Sequence, residues 1–311
     1  MTQSVYKDSK AFGLLKSFSV FILFMMLSFF LSDTISESML DGLKFAVNVI
    51  LPTIFPFMVF SDLASHIFTF EKSRILSSAF ERIFKINGIG ISAFLSGIIG
   101  GFPVGARNAV MLYESGKISK CECERLMSFA NTASPAYVVC AIGITLMSSF
   151  PLGVILYLTV VFSSVICGII IGINKNISSF SKLNQRQKYS FVYSVKSSAD
   201  ASVNAVFFIS LFSSVCAIIK SLPIESIFKL LTIPLIEVGA SVVYVSDLYI
   251  LSSRFRLAII AFSLSFSGIS VITQSLSISK KCDVSIKKCI IYKLLQGAIS
   301  FIIILVLPIS L

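Results

Sequence analysis

Residues 88–116 read GIGISAFLSGIIGGFPVGARNAVMLYESG. Gly97, Gly100, Gly101, Pro103 and Gly105 fill the middle of this apolar run, where an ordinary membrane span carries bulky side chains. Backbone this rich in glycine is tolerated at membrane depth only where protein or a water-lined cavity satisfies its polar groups. The segment is therefore expected to be a re-entrant hairpin. Close helix packing also fits, since Gly97 and Gly101 have the GxxxG spacing. Pro103 and Arg107 favour the hairpin, because a packing motif needs neither.

Composition places this hairpin in a membrane. Of 311 residues, 56% are hydrophobic and only 13% charged, with mean hydropathy +0.93, whereas soluble domains carry about a quarter charged residues. A water-soluble globular fold is excluded, and the lipid bilayer is the expected surround. The net charge of +11 is scattered over short loops, without an aromatic-interleaved patch. It reads as a record of topology rather than a nucleic-acid surface. The seven cysteines are odd in number, and Cys121 and Cys123 do not have a zinc-ligand spacing. With His66 as the sole histidine, no metal site and no cofactor is expected.

Upstream of the hairpin, Lys7, Lys10 and Lys16 precede about twenty apolar residues without an A-x-A cleavage signal. A retained first span entering from the cytoplasm is expected, followed by an outer loop with Asp33, Glu37 and Asp41. A second span over about 42–60 contains LPTIFPF, whose Pro52 and Pro56 are expected to kink or break it. Lys72, Arg74, Arg82 and Lys85 return the chain to the cytoplasm, and residues 75–86 have the pattern of an interfacial helix, with Ile75, Ala79, Ile83 and Ile86 on one face.

Downstream, residues 121–150 open as an amphipathic helix with Glu122, Glu124 and Arg125, then break at Asn131–Pro135. Asn131, Thr132 and Ser134 fall inside the membrane, where discontinuous helices of transporters coordinate substrates and ions. Interhelical hydrogen bonding is the plainer role for each alone. A span follows over 151–173. The basic stretch 174–196 marks the cytoplasm and divides the chain.

The second half repeats this order. Residues 198–222 answer the second span, 224–241 stand where the interfacial helix stood, and 262–279, with Ser267, Gly268 and Ser270, answer the hairpin. A final span covers about 289–311. The domains read as an N-terminal span and outer loop (1–41), a first repeat (42–173), a basic linker (174–196) and a second repeat (197–311). Two orientations of the second half are open. If 224–241 only dips into the membrane, the repeats are inverted and Lys280, Lys281, Lys287 and Lys288 face outside. If that region crosses as far as Ser246, those lysines are cytoplasmic and the symmetry is lost.

GGFPVGARNAVMLYESGKISKCECERLMSFANTASP resembles the central motif of the sporulation integral membrane protein YlbJ family: a Gly-aromatic-Pro-x-Gly-Ala-basic run, a Gly-x-Ile-Ser turn and a Phe-Cys-Asn-Asn-x-Gly-Pro-like break. LIEVGAS and FSGISVITQ resemble that family's later Leu-Glu-Val-Thr and Phe-Gly-Gly-Leu-Ser-Val-x-x-Gln motifs. Order and spacing agree from about Lys44 to the C-terminus. Ala130, Thr132, Ser134 and Ser267 depart from the pattern, keeping small residues while changing hydrogen-bonding capacity. The resemblance implies a nucleoside-recognition, or Gate, domain, a type also found in concentrative nucleoside and ferrous-iron transporters. It also implies a link to sporulation.

Carried over position by position, the resemblance selects Gly101, Pro103, Gly105, Arg107, Asn131, Pro135, Glu237, Gly268, Ser270 and Gln274; Thr132 and Ser134 join them from the break. Glu237 is the sharpest, because an ionisable residue inside LTIPLIEVGASVVYV is costly unless it functions or is paired. Arg107 and Lys229 are its candidate partners. The expected fold is an all-α polytopic membrane protein with two related, inverted halves, re-entrant glycine-rich hairpins and broken helices. The leading function is a transporter-like protein of the cell membrane, holding a small polar solute or nucleoside at a central site, with a coupling ion acting through Glu237. The alternative is a non-transporting component that supports spore envelope assembly through sporulation proteins. Catalysis is not expected: the G-I-S-V at Gly268–Val271 has only the distant His66 as imidazole, and HExxH and Walker A sequences are absent.

Overall fold

Residues 29–67, 73–177, 191–279 and 282–308, with Ile22 and Met26, are described by the computed structural model, and every regular element among them is helical. Among the described residues, five helices are long and apolar enough to cross a membrane: Ser32–Leu63, Phe150–Gly172, Phe191–Ser221, Ser253–Ile278 and Ile286–Val306. The chain is thus a multi-pass helical membrane protein. The span expected ahead of residue 29, most of the basic linker, and Lys280 and Lys281 lie outside the described residues.

The first long rod joins α1 (Ser32–Phe45) to α2 (Leu51–Ile67) through one π-helical turn, Ala46–Ile50. Asp33, Glu37 and Asp41 therefore sit on a helix rather than in the expected outer loop. The prolines do not break the rod. The wider turn stands just before Pro52, and Thr53 Oγ1 donates to the carbonyls of Val49 (2.7 Å) and Ile50 (3.0 Å), which compensates backbone bonds that proline perturbs.

A short helix, α3 (Arg74–Phe84), ends at Lys85 in the left-handed region and turns by 99° into the segment Gly88–Gly100. It buries Phe80 and Phe84 while Ile75, Leu76 and Ile83 stay exposed, as suits a helix lying along a membrane surface. Next come α4 (Ile91–Gly100) and α5 (Val104–Glu114), which fold back on each other. A Cβ added to Gly97 would lie 3.0 Å from the Cα of Gly105. Residues eight apart along one straight helix are about 12 Å apart, so the expected hairpin is present.

Ser119 and Glu122 form a capping box that starts α6 (Lys120–Ala130), the acid bonding back to the Ser119 amide at 2.8 Å. Glu122, Glu124 and Arg125 are all buried, so this helix does not turn a charged face to solvent as its sequence suggests. After the break at Asn131–Pro135 the chain continues as α7 (Ala136–Leu146), wound as a π-helix, and returns along α8 (Phe150–Gly172). Gly143 and Gly153 let α7 and α8 approach closely at one end; Gly172 packs on Phe84 at the other.

The second half holds α9 (Phe191–Ser221), α10 (Ser226–Ile236), α11 (Val238–Ser246), α12 (Ser253–Phe266), α13 (Gly268–Ile278) and α14 (Ile286–Val306). Lys229 Nζ at the start of α10 donates to the Lys220 carbonyl (2.6 Å), and Lys220 Nζ lies 5.4 Å from the ring of Tyr244 near the end of α11. Both outer ends thus meet the end of α9. The inner ends meet Gly268, where an added Cβ would be 2.9 Å from the Ile236 carbonyl. Consequently α10 and α11 form a second re-entrant pair, while Ser253–Ile278 crosses as one broken span.

This corrects the expected alignment of the halves. Residues 262–279 are not a second hairpin; that place belongs to 226–246, and the interfacial α3 has no counterpart in order. Long helix, hairpin, broken crossing and long helix occur twice. The first hairpin opens on the face holding Asn87, Ser119 and the turn with Asp283, since Asn87 N and Ser285 N bond Glu122 and Glu124, and Lys120 meets Asp283 at 2.9 Å. The second opens on the opposite face, where Ser246, Arg256, Leu146 and Ser149 line one groove. The two lysine-bearing turns therefore share a face although the hairpins enter from opposite sides. On the exposed turn, the Asp283 carboxylate raises the Lys120 ammonium above the ordinary lysine range.

Candidate functional site

Four interruptions of helical winding meet in the interior: Gly101–Pro103, Asn131–Pro135, Glu237 and Ser267–Gly268. They meet in pairs. Gly101 has φ +75° and packs so tightly on the second interruption that a Cβ there would lie 2.7 Å from Ser134 N. Gly268 has φ +67° and lies against Ile236 and Glu237. Both positions need glycine twice over, for a left-handed backbone and for close approach.

Across the two pairs lies a cavity of about 30 Å³, room for roughly one water molecule. Phe102 contributes from the first interruption, Tyr137 from beyond the second, Glu237 and Val238 from the third, and Val271 and Gln274 from beyond the fourth. Met58 of α2 and Ser202 of α9 close it from the long helices.

Glu237 is 2% exposed and caps α11, its Oε2 accepting from the Ala240 amide at 2.5 Å. The amides of Val238 and Gly239 also face the carboxylate. A helix N-terminus is a natural seat for negative charge. Neither candidate partner pairs with it: no basic side chain lies within 4 Å of this carboxylate among the described residues. Arg107 instead forms a salt bridge with Asp62 and bonds Ser197 Oγ, while Lys229 turns to the Lys220 carbonyl. Asp62 is buried in α2 and was not singled out from sequence, although the rule that flagged Glu237 applies to it equally.

Of the residues selected from sequence, only Glu237 and Gln274 line the cavity. Gln274 Nε2 also donates to the Ala201 carbonyl at 3.4 Å. Gly101, Pro103 and Gly105 shape the first hairpin, with Pro103 as the N-cap of α5 and Gly105 against Gly97. Thr132 Oγ1 donates to the Gly97 carbonyl (3.2 Å), and Ser134 Oγ accepts from the Tyr137 amide (3.2 Å). These two fasten the second interruption. Ser270 is buried, its hydroxyl without a hydrogen-bond partner among the described residues.

Asn131 belongs to a second polar cluster. Its Nδ2 donates to Ser275 Oγ (2.7 Å), and its backbone carbonyl accepts from Lys293 Nζ at 2.5 Å. Lys293, in α14 and 1% exposed, also donates to Gln296 Oε1 (3.1 Å) and Ser267 Oγ (3.3 Å). Sequence reading passed over Lys293. Its signal was plain, a lysine inside the apolar run IIYKLLQGAISF with Gln296 one turn on. No group of three or more His, Cys, Asp or Glu side chains is placed to hold a metal ion among the described residues.

No family model matches the chain, and no solved structure matches it. Among curated proteins it is similar to the sporulation integral membrane protein YlbJ of Bacillus subtilis (strain 168), 24% identical over 319 aligned residues that cover 87% of this chain and 77% of that protein.

Proposed function

We propose, from its similarity to the integral membrane protein YlbJ, that this chain is a transporter-like protein of the cell membrane, linked to sporulation, with a central site for a small polar solute. The observation that carries this reading is the convergence of the interruptions on one small cavity, lined from the first and third and from just beyond the second and fourth, which also holds an acid with no basic side chain within 4 Å among the described residues. Broken helices at mid-membrane are costly unless their free N–H and C=O groups are used, and transporters use them to hold solute and coupling ion.

In this reading the two hairpins form gates from opposite faces. Each rests on its own broken crossing through Gly101 or Gly268, so alternate opening around Glu237 and Gln274 would part the contacts between the halves, the Arg107–Ser197 and Lys293–Asn131 bonds among them. The cavity as it stands is closed, and a nucleoside or comparable polar solute enters only after the halves separate. Glu237 would carry the coupling proton or face the coupling cation. Gln274, Tyr137 and Ser202 supply neutral hydrogen-bonding groups of the kind that recognise heterocycles and sugars.

The test is binding and flux in reconstituted protein with a panel of nucleosides and small polar metabolites. Substrate-dependent thermal stabilisation is expected, and Glu237→Gln is expected to uncouple flux while Gln274→Ala weakens binding. No response to any panel member, with both variants behaving as wild type, overturns the reading.

The small volume of the cavity favours a second reading: a non-transporting membrane component that uses the same interruptions to lock its helices and supports spore envelope assembly through protein partners. Co-purification from sporulating cells separates the two. Sporulation lost in Glu237→Gln while partner binding persists disfavours this alternative.

A further inference from the structure

We propose that the Lys293 ammonium is a built-in monovalent cation, seated where a free sodium or potassium ion would otherwise bind. The donor set is the first reason. The Asn131 carbonyl at the unwound end of α6, the Ser267 hydroxyl at the left-handed turn between α12 and α13, and the Gln296 amide oxygen surround Nζ at 2.5, 3.3 and 3.1 Å. All are neutral oxygens, brought together from three parts of the fold. Free carbonyls at the C-terminal end of a half-helix are where broken-helix membrane proteins place a monovalent cation.

The second reason is the missing counter-ion. A buried lysine is ordinarily paired with a carboxylate, yet no Asp or Glu oxygen lies within 4 Å of Lys293 among the described residues. The titratable groups acting on it are two thiols, Cys167 from α8 and Cys289 from α14 itself. The third is an unused acceptor on a residue of the cluster: Asn131 Oδ1 is buried without a hydrogen-bond partner among the described residues, although its Nδ2 and its carbonyl are both engaged.

The consequence rests on the transport reading. A cation tethered to α14 cannot leave, so the exchangeable species at this position is the proton on its amine rather than a sodium ion. The seat itself is tested without any solute. In wild-type protein the thermal midpoint is expected to stay put when choline is exchanged for sodium or potassium at constant ionic strength. Lys293→Ala empties the seat, and its midpoint is expected to rise saturably with sodium or potassium by several degrees. Adding Gln296→Ala is expected to abolish that rise. Should Lys293→Ala not fold in choline, folding is expected to return when sodium, potassium or methylammonium is supplied. A folded variant without a cation response, a failure of all three cations to restore folding, or an equal response in wild type overturns the proposal. A cation response in the variant with no solute bound by wild type keeps the seat and removes the transport reading.

Discussion

Gly97 and Gly105 meet back to back across the first hairpin, each leaving the other's backbone 3.0 Å from where a Cβ would stand. The Ala130 carbonyl crowds both, so hairpin and broken crossing are packed backbone to backbone. Gly97→Ala or Gly105→Ala is expected to destabilise the detergent-solubilised protein by about 1–3 kcal/mol through overpacking, read as a lowered denaturation midpoint. Asn108 Nδ2 bonds Ser96 Oγ at 2.6 Å beside them, and Asn108→Ala is expected to cost less, because one neutral hydrogen bond contributes about 1 kcal/mol.

The Asp62–Arg107 pair ties the first hairpin to α2, and the Arg107 bond to Ser197 extends the tie to α9. Asp62 is buried and Arg107 nearly so, which makes an unpaired survivor costly. Arg107→Gln alone is expected to destabilise by about 3–5 kcal/mol, and Asp62→Asn with Arg107→Gln together by less than the sum. A double-mutant cycle on thermal or denaturant unfolding measures the coupling.

The arrangement of faces makes a labelling prediction. In a cysteine-free background, cysteines placed at Lys117 and Asp283 are expected to react with an impermeant thiol reagent from one side of the membrane, and a cysteine at Tyr249 from the other. The positive-inside tendency assigns the first side to the cytoplasm. Labelling of positions 117 and 283 from opposite sides would contradict the crossing of Ser253–Ile278.

Cys123 Sγ and Cys282 Sγ are 3.9 Å apart, on residues 159 positions distant in the chain. A thiol oxidant should join them, releasing two protons and two electrons to the oxidant. After cleavage of the 174–196 linker, the halves are expected to migrate together until reduced. Cys123→Ser should release them, as mass spectrometry of the cross-linked peptide checks.

How much of this was legible in sequence differs element by element. The hairpin at Gly88–Gly116 was readable because glycine and proline at membrane depth have few other uses. The second hairpin was not, because 226–246 turns at Glu237 and carries an ordinary apolar pattern on either side; its nearest glycine, Gly239, lies within α11. Residues 262–279 carry the hairpin-like signal in Ser267 and Gly268, but these interrupt a crossing rather than reverse the chain. With the right match, the conflict between symmetry and positive charge disappears.

The sequence by itself determined what depends on local composition: the membrane, the basic loops and the cost of Glu237 among apolar neighbours. Those follow from transfer free energies that each segment carries alone. Tertiary structure decided which interruptions touch, that Arg107 serves Asp62 and leaves Glu237 to a helix N-terminus, and that Lys293 rests on the Asn131 carbonyl. Such pairings bring together residues up to 162 positions apart, and a buried charge takes whichever partner the packing of the helices sets within reach.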